Sequence, residues 1–138
     1  MTSTHEFTFE TKGDGEVLDL TANVTKVVTR SGVTSGLVVV AVAGSTAGIT
    51  TIEFEPGLVA DLQQAFERVA PAGVAYAHDQ RWGLGNGHAH VRASVLGPSV
   101  TLPVVRGAMT LGEWQQVVLV DFDTRPRTRR VVVQVLGE

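Results

Sequence analysis

Hydrophobic and polar residues alternate along several stretches of this chain, a pattern typical of β-strands that bury one face. Thr8–Glu10 predicts a first strand, and the nearly continuous apolar run GLVVVAVAG at residues 36–44 predicts a strand buried on both faces. Ser99–Val105 predicts another strand, with Pro103 near an edge or a bulge. Near the C-terminus, GEWQQVVLVDFD and RRVVVQVLG flank a turn that contains proline, and they predict an antiparallel pair.

Two stretches instead carry apolar residues at helical spacing. In LDLTANVTKVVTRSG, Thr21 is a candidate N-cap and Gly32 lies just beyond the predicted end, with Val24, Val27 and Val28 between them. The second helix begins at Pro56 and ends before Pro71 and Gly73, and its apolar stripe consists of Leu58, Leu62, Ala65, Phe66 and Val69. The elements together predict a β-rich α+β domain over residues 1–138, a jelly-roll-like β-sandwich with about two flanking helices.

The composition narrows the class of protein. A chain of 138 residues is long enough to bury one core without cross-links, and the absence of cysteine excludes disulfides, thiolate nucleophiles and cysteine-ligated metal sites. The N-terminus, MTSTHEFTFE, does not predict a signal peptide, and no apolar run reaches membrane length. We therefore expect a soluble cytoplasmic protein that has no membrane partner.

The net charge of −3 argues against generic nucleic-acid binding, because a basic surface supplies most of that affinity. Positive charge is nevertheless concentrated in TRPRTRR, which holds Arg125, Arg127, Arg129 and Arg130. The favoured interpretation of this cluster is a solvated hairpin tip between two strands. A contact with phosphate or RNA is the alternative.

Most of the residues capable of chemistry lie between Tyr76 and Pro103. After Gly87 the run HAHVRASVL alternates, and on a strand one face would carry His88, His90, Arg92 and Ser94. Two imidazoles at this spacing are rooted about 7 Å apart, close enough to share one metal ion. A third ligand would come from His78, Asp79 or Glu53. The alternatives are histidines bonded in a subunit contact and a general base that acts without metal.

Carboxylates and a glycine-rich loop add further candidates. AGITTIEFE would place Glu53 and Glu55 on one strand face, either as a metal or acid–base site or as a solvated sheet face. The loop WGLGNG can present backbone N–H groups to phosphate, although it matches neither common phosphate-binding fingerprint. Arg81 and Arg92 can bind phosphate bidentately or form surface ion pairs. No GxSxG elbow is present, which argues against a serine hydrolase.

Several motifs in a fixed order resemble the YjbQ family, members of which carry the name secondary thiamine-phosphate synthase. They are GSTAGITTIEFEPGLVADL, YAHD, NGHAHVRASVLGPSVTLPV and LGEWQQVVLVDFD, and the resemblance runs from about Val17 to the end of the chain. It implies a compact β-sandwich with flanking helices, assembled as a homotrimer with a polar pocket at the subunit boundary.

Matched residue by residue, the family's polar cluster falls on Glu53, His78, Asn86, His88, His90 and Ser94, with Gln115 near it in the pattern. Many members begin the first motif with His-Thr-Thr, whereas Gly44-Ser45-Thr46 stands there in this chain. One potential histidine ligand is therefore missing. The set for a divalent metal, Zn²⁺ or Mg²⁺, is then His78, His88 and His90.

The resemblance implies a transferase that joins hydroxymethylpyrimidine diphosphate to a thiazole phosphate and releases diphosphate. The catalytic candidates are His88, His90, Glu53, Asn86 and Ser94, and the candidates for binding the phosphorylated substrate are Arg81, Arg92, Asp79 and Gln115. Two alternatives remain open. One is a non-catalytic trimeric module that binds a metal or a small phosphorylated ligand, and the other is a structural trimer with its histidines at the interface.

Overall fold

Eight strands and four helices make up the computed structural model, which describes residues 1–138. The strands are β1 (Thr2–Thr11), β2 (Glu16–Asp19), β3 (Ser35–Ala43), β4 (Ala47–Ile52), β5 (Ser99–Val105), β6 (Ala108–Met109), β7 (Gln116–Asp121) and β8 (Arg127–Gly137). The helices are α1 (Thr21–Ser31), α2 (Pro56–Val69), α3 (Ala77–Trp82) and α4 (Gly87–Leu96). The prediction of a β-rich α+β fold is confirmed, although it contained about two helices too few.

The strands form two antiparallel sheets. One has five strands in the order β1-β8-β3-β5-β6, and the other has three in the order β2-β7-β4. A core of sixteen buried residues, most of them valine, joins the five-stranded sheet, α1 and one face of the three-stranded sheet. A second core packs Phe66 of α2 and Ala89 and Ala93 of α4 against the opposite face of β7. The finer description as a jelly-roll-like sandwich stays a prediction.

Burial on both faces belongs to β7 and not to β3, which corrects one prediction. Every residue from Val117 to Asp123 is buried, because β7 lies between the two cores. In β3 only alternate residues are buried, and Leu37 on the other face is 46% exposed. The outer face of the five-stranded sheet is therefore apolar at its centre and uncovered in the single chain.

The two C-terminal strands do not pair with each other as predicted. Strand β7 bonds to β2 and β4, whereas β8 lies between β1 and β3 in the other sheet. The segment from Phe122 to Pro126 carries the chain across. Charged side chains are buried at this crossing, where Arg129 contacts both Asp121 and Asp123.

The stretch HAHVRASVL forms helix α4 and not a strand, which is the main correction. Its first backbone N–H, from Gly87, donates to Asp79 Oδ1 at 2.8 Å, and the helix ends at Gly97 with φ 95°. Along this helix His88 and Arg92 are four residues apart and share one side, and His90 and Ser94 share the other. The predicted row of four polar side chains is thus divided between two faces.

Helices α1 and α2 follow the sequence pattern closely. Val24, Val27 and Val28 are buried, and Gly32 ends α1 in the left-handed conformation, as predicted. The N-cap of α1 is Leu20 and not Thr21, whose N–H donates to Asp19 Oδ1. Glu55 caps α2 by accepting bonds from the N–H groups of Gly57 and Leu58. Neither α2 nor any other helix is long and apolar enough to cross a membrane.

Candidate functional site

Two histidines meet where α3 and α4 come together. The ring centroids of His78 and His90 are 4.4 Å apart, and we call these residues the histidine pair. His78 comes from the first turn of α3 and His90 from the first turn of α4. Because Asp79 of α3 accepts the N–H of Gly87, this carboxylate fixes the start of α4 relative to α3 and thereby positions the pair.

The ionisation of His90 is set by its surroundings. Burial lowers its pKa, and the neighbouring His78 lowers it further, whereas Asp123, Asp79 and the Ser45 carbonyl act in the opposite direction. The net pKa lies below the usual 6.5. His90 is therefore a neutral imidazole at pH 7, able to accept a proton.

A small cavity borders α4 one helical turn beyond His90. It has a volume of about 180 Å³ and is lined by Gly44, Ser45, Ala47, Ala93, Ser94 and Pro98. We call it the histidine cleft because the backbone of Ser45, in its wall, interacts with His90, although neither histidine lines it. Ser94 follows His90 by one helical turn, and its hydroxyl donates to the His90 backbone carbonyl. A small polar ligand in the cleft would contact backbone and hydroxyl groups close to the histidine pair.

Two atoms of the site are buried and have no hydrogen-bond partner, namely His78 Nδ1 and Asn86 Oδ1. Asp79 Oδ1 lies 3.5 Å from His78 Nδ1 without forming a hydrogen bond. Buried polar atoms are almost always bonded, and exceptions gather at functional sites. Both atoms are closed to solvent, so a ligand or a partner subunit would bond to them only after the side chains that cover them move.

A buried network of ion pairs and hydrogen bonds packs beside this site, and the sequence did not predict it. Its members are Thr11, Thr46, Asp121, Asp123, Arg127 and Arg129. Asp123 accepts bonds from the Thr46 hydroxyl at 3.0 Å and the Asn86 amide at 3.4 Å. The network thereby connects the loop at the edge of the histidine cleft to the residue that precedes α4.

The arginine cluster is thus not a solvated hairpin tip. Arg129 is 3% exposed and binds Asp121 through two nitrogens, at 2.6 and 2.9 Å. Arg127 pairs with Asp123, Arg130 with Glu6, and Arg125 is exposed. The sequence carries one signal for this arrangement: Asp121 and Asp123, like Arg127 and Arg129, are two residues apart and so share a strand face.

His88 lies apart from the histidine pair, in a second cluster at the other side of α4. It is 6% exposed, its ring centroid is 6.4 Å from that of Tyr76, and its Nδ1 is buried without a partner. Burial and then the charge of Arg92 lower its pKa. Arg92 itself is occupied, since it donates to the Ala70 carbonyl at 3.0 Å and to Glu67 at 2.6 Å.

This division removes two predicted roles within a single chain. His78, His88 and His90 do not converge on one point, and no group of three or more His, Asp or Glu side chains is placed to hold a metal ion. The predicted three-histidine metal set therefore does not fit. Arg92 anchors α4 to the end of α2 and does not bind phosphate in this arrangement. Helical geometry is the physical reason for both corrections.

Glu53 and Gln115 also lie away from the pair. Strand β4 starts beside the histidine cleft and ends at Ile52, so Glu53 is roughly 20 Å from the cleft at about 3.3 Å per residue. Gln115 donates to the Thr51 hydroxyl at 3.0 Å near that far end.

Arg81 is exposed and lies over the Trp82 ring, 5.3 Å from its centroid. Of the predicted residues, the structure brings together His78, Asp79, Asn86, His90 and, at the cleft wall, Ser94.

Fold and site together define a class: small antiparallel α+β proteins in which a histidine pair lies at the junction of two short helices. The model of the family described as UPF0047 protein YjbQ-like matches residues 5–138, and the chain belongs to that family. The resemblance read from the motifs is confirmed.

Relatives in distant organisms share most of their length with this chain. A UPF0047 protein of Archaeoglobus fulgidus is 37% identical over 131 residues, which cover 95% of this chain and 99% of the relative. The UPF0047 protein YugU of Bacillus subtilis is 34% identical, with 92% and 93% covered. A crystal structure of a YbjQ-like protein of unknown function from Sulfolobus solfataricus superposes with a TM-score of 0.89 over all of both chains, at 29% identity.

A hypothetical protein of Aeropyrum pernix superposes with a TM-score of 0.90 at 34% identity, covering 99% of each chain. Agreement over whole chains at this level of identity means that the same single fold is retained in archaeal and bacterial relatives. The architecture described above is therefore common to this chain and these relatives.

Proposed function

We propose that this protein is a homotrimeric enzyme that uses the histidine pair for proton transfer on a small phosphorylated substrate. The observation that carries the proposal is the state of His90: a half-buried imidazole, neutral at pH 7, in contact with His78 and beside a cavity. A general base must be unprotonated at the working pH and within reach of its substrate. His90 meets the first condition. To meet the second, a substrate held in the histidine cleft would extend past Ser45 to the His90 ring, since no histidine lines the cavity.

The concrete reaction to test is thiamine-phosphate synthesis, which the sequence motifs imply. In this reaction the lone pair of the thiazole nitrogen forms a carbon–nitrogen bond with the pyrimidine methylene while the carbon–oxygen bond to diphosphate breaks, and the thiazole nitrogen loses no proton. The proton for His90 to accept comes from the amino group of the pyrimidine, whose electrons then assist the departure of diphosphate, and it returns to that nitrogen once the new bond has formed. The departing diphosphate needs positive charge close by. Neither arginine predicted to bind phosphate is free for this role within one chain, since Arg92 pairs with Glu67 and Arg81 lies on Trp82.

A neighbouring subunit would then complete the pocket. Glu53 and Gln115, the predicted site residues at the far end of β4, are flanked by the exposed side chains of Phe54 and Trp114, which are 41% and 70% exposed. Aromatic residues beside polar ones are typical of protein interfaces. We propose that this end of one subunit faces the histidine pair of the next.

The test is turnover of hydroxymethylpyrimidine diphosphate and thiazole phosphate by the wild type and by His90→Ala. We expect the substitution to lower the rate by about 10²- to 10⁴-fold, the usual contribution of general acid–base catalysis. The matched control is Gln64→Ala, an exposed position on α2, which should retain wild-type turnover. Equal turnover by wild type and His90→Ala would refute the role of the histidine pair.

The dependence of the wild-type turnover rate on pH is a second test of His90 as the base. A base with a lowered pKa is active above that pKa and is lost as the pH falls through it, so the midpoint of the decline in the wild-type rate should lie below pH 6.5. A midpoint above pH 6.5 would mean that another group is the base.

A second candidate is a non-catalytic trimeric module that binds a small phosphorylated ligand or a metal. The two unpartnered buried atoms of the site favour it, since they require a polar partner and not a reaction. Saturable binding of thiazole phosphate without turnover, lost in His78→Ala/His90→Ala, would support the ligand form. Elemental analysis of the same two proteins tests the metal form, which requires stoichiometric metal in the wild type alone.

A further inference from the structure

A second cavity lies at the other end of the molecule, in the crevice between the edge strand β1 and helix α1. Its volume is about 120 Å³, and it is lined by Ser3, Thr4, His5, Phe7, Lys26, Val27 and Arg30. The lining includes two cations, one imidazole and two hydroxyl side chains, and it contains no carboxylate. A concave surface with this composition is suited to an anion.

The two cations have no counter-ion in the chain. Lys26 and Arg30 form no salt bridge, although six other close ion contacts are present. They are the only charged residues of α1 and stand four positions apart, where like charges repel along a helix. The nearest acid on β1, Glu6, alternates to the opposite face of the strand and is bound by Arg130. A bound anion would relieve this repulsion.

The same two cations also line a larger, open groove along α1. Its volume is about 640 Å³, and its other lining residues are Asp19, Thr21, Ala22, Thr25, Thr29 and Gln116. Apart from Asp19, its walls are the methyl, methylene and hydroxyl groups of uncharged side chains and the stems of the two cations. Lys26 and Arg30 thus lie between a small crevice without a carboxylate and a wider groove whose one carboxylate is that of Asp19.

We propose that the crevice binds the phosphate group of a small organic phosphate, whose uncharged body lies in the groove along α1. Arg30 can offer two parallel N–H donors to phosphate, and Lys26 supplies a point charge beside it. The site is separate from the histidine pair, and it does not depend on the function proposed for that pair.

The experiment is isothermal titration calorimetry of the full chain with inorganic phosphate and with phenyl phosphate. The test variant is Lys26→Gln/Arg30→Gln, and its charge-matched control is Lys12→Gln/Arg68→Gln, which alters two exposed cations elsewhere. We expect one phosphate per chain in wild type and control, and at least tenfold weaker binding in the test variant, about 1.4 kcal/mol. Phenyl phosphate should bind more tightly than inorganic phosphate, because only its body reaches the groove.

Three outcomes overturn parts of the proposal. Absence of saturable binding at millimolar phosphate, or equal loss in test variant and control, refutes the crevice as a site. Equal affinity for the two compounds refutes the role of the groove. Loss of binding in His90→Ala would assign the phosphate to the histidine cleft instead, so failure here and failure of the proposed function are distinguishable.

Thermal unfolding separates binding from a structural role. Without phosphate, Lys26→Gln/Arg30→Gln should unfold at or slightly above the wild-type temperature, because it removes a repulsion. With phosphate, only wild type and control should gain stability, since a ligand stabilises the state that binds it. A test variant that is destabilised without phosphate would show that these cations hold the fold, and it would contradict the proposal.

Discussion

His88 and His90 are separated by one residue, yet they belong to different parts of the molecule. His90 contacts His78 at the junction of α3 and α4, and His88 is buried against Tyr76 on the other side of α4. Both have a lowered pKa, and in each case burial is the largest cause. The pattern His-x-His therefore marks one residue at the candidate site and one that packs beneath it.

Also at the residue scale, the positive charge of Arg129 stabilises the buried carboxylates at the centre of the molecule. Burial alone would raise the pKa of Asp121, but hydrogen bonds from Arg129 and Thr11 outweigh it and hold that pKa below 3.8. Asp123 is held low in the same way by Thr124, Thr46 and Asn86. Both carboxylates are thus ionised while almost completely buried.

Replacement of Arg129 by leucine should be strongly destabilising, by about 3–5 kcal/mol, because it leaves buried carboxylates without their cation. Urea unfolding at pH 7 measures the effect. The control is Arg125→Leu at an exposed position of the same cluster, which should unfold like the wild type. If the two variants unfold at the same urea concentration, the buried ion network does not have the role assigned to it.

The same variant should alter the acid dependence of stability. A carboxyl with a lowered folded pKa adds stability that is present above its unfolded value, near 3.9, and lost as the pH falls through the folded value. The wild type should therefore lose stability below about pH 4. Arg129→Leu should show a smaller loss over that range, because its carboxylates no longer gain from the folded state.

At the scale of elements, α4 shows why the site could be predicted only in part. Its buried positions are Gly87, His88, Ala89, Arg92 and Ala93, and two of these are polar. A helix that buries histidine and arginine has no apolar stripe, so its sequence displays the alternation of a strand instead. Two partners that are distant in sequence, the Glu67 carboxylate and the Ala70 carbonyl, make the burial of Arg92 possible.

Elements with ordinary apolar faces were predictable. Helices α1 and α2 have valine or leucine at helical spacing and ends marked by glycine or proline, and both form close to the predicted bounds. Strand pairing was harder to predict, because apolar runs such as β7 and β8 indicate that a strand is buried but do not specify which strands lie beside it. The candidate residues near His90 could be found from local motifs. The part that Asp123 plays could not, because it depends on contacts with Thr46 and Asn86, which are distant in sequence.

Helix α4 packs on β4 through a position that has no room for a side chain. A Cβ atom at Gly48 would lie 2.7 Å from both the Gly97 carbonyl oxygen and a Leu96 methyl carbon. We expect Gly48→Ala to cost about 1–3 kcal/mol, the usual range for overpacking, and to move α4 relative to the histidine cleft. Thermal unfolding and turnover should therefore both decline.

Gly73→Ala is the control for this substitution, since a Cβ atom there has no neighbour within 4 Å. It should leave stability and turnover close to those of the wild type. A Gly48→Ala protein that is as stable as Gly73→Ala would mean that α4 is free to adjust its position on β4.

At the scale of the whole molecule, the outer face of the five-stranded sheet indicates an assembly. In the sheet register Leu37 lies between Leu136 and Pro103, and Ala41 lies between Val132 and Ser99. Leu37 and Leu136 are 46% and 41% exposed. An apolar centre on an open sheet face is typical of a surface that a partner covers, and in the homotrimer proposed above a second copy of the chain would cover it.

Substitution at the centre of this face tests the assembly. Val39→Asp places a charge between Gln134 and Thr101 and should convert a trimer to a folded monomer, seen as a threefold lower mass by light scattering with an unchanged circular dichroism spectrum. Ala60→Asp, on the exposed side of α2, is the control and should stay trimeric. A Val39→Asp protein with the wild-type mass would place the interface elsewhere.

The position of β8 determines when this protein can fold during synthesis. Strand β8 is the last element of the chain, yet it lies between β1 and β3 and supplies backbone hydrogen bonds to both. During synthesis β1 therefore stays unpaired until more than a hundred further residues have been added. The five-stranded sheet can form only after β8 has left the ribosome. Sheets whose strands pair over long sequence distances form slowly, and strands that are still unpaired can aggregate. We therefore expect chaperones that bind exposed strands during translation to raise the yield of this protein.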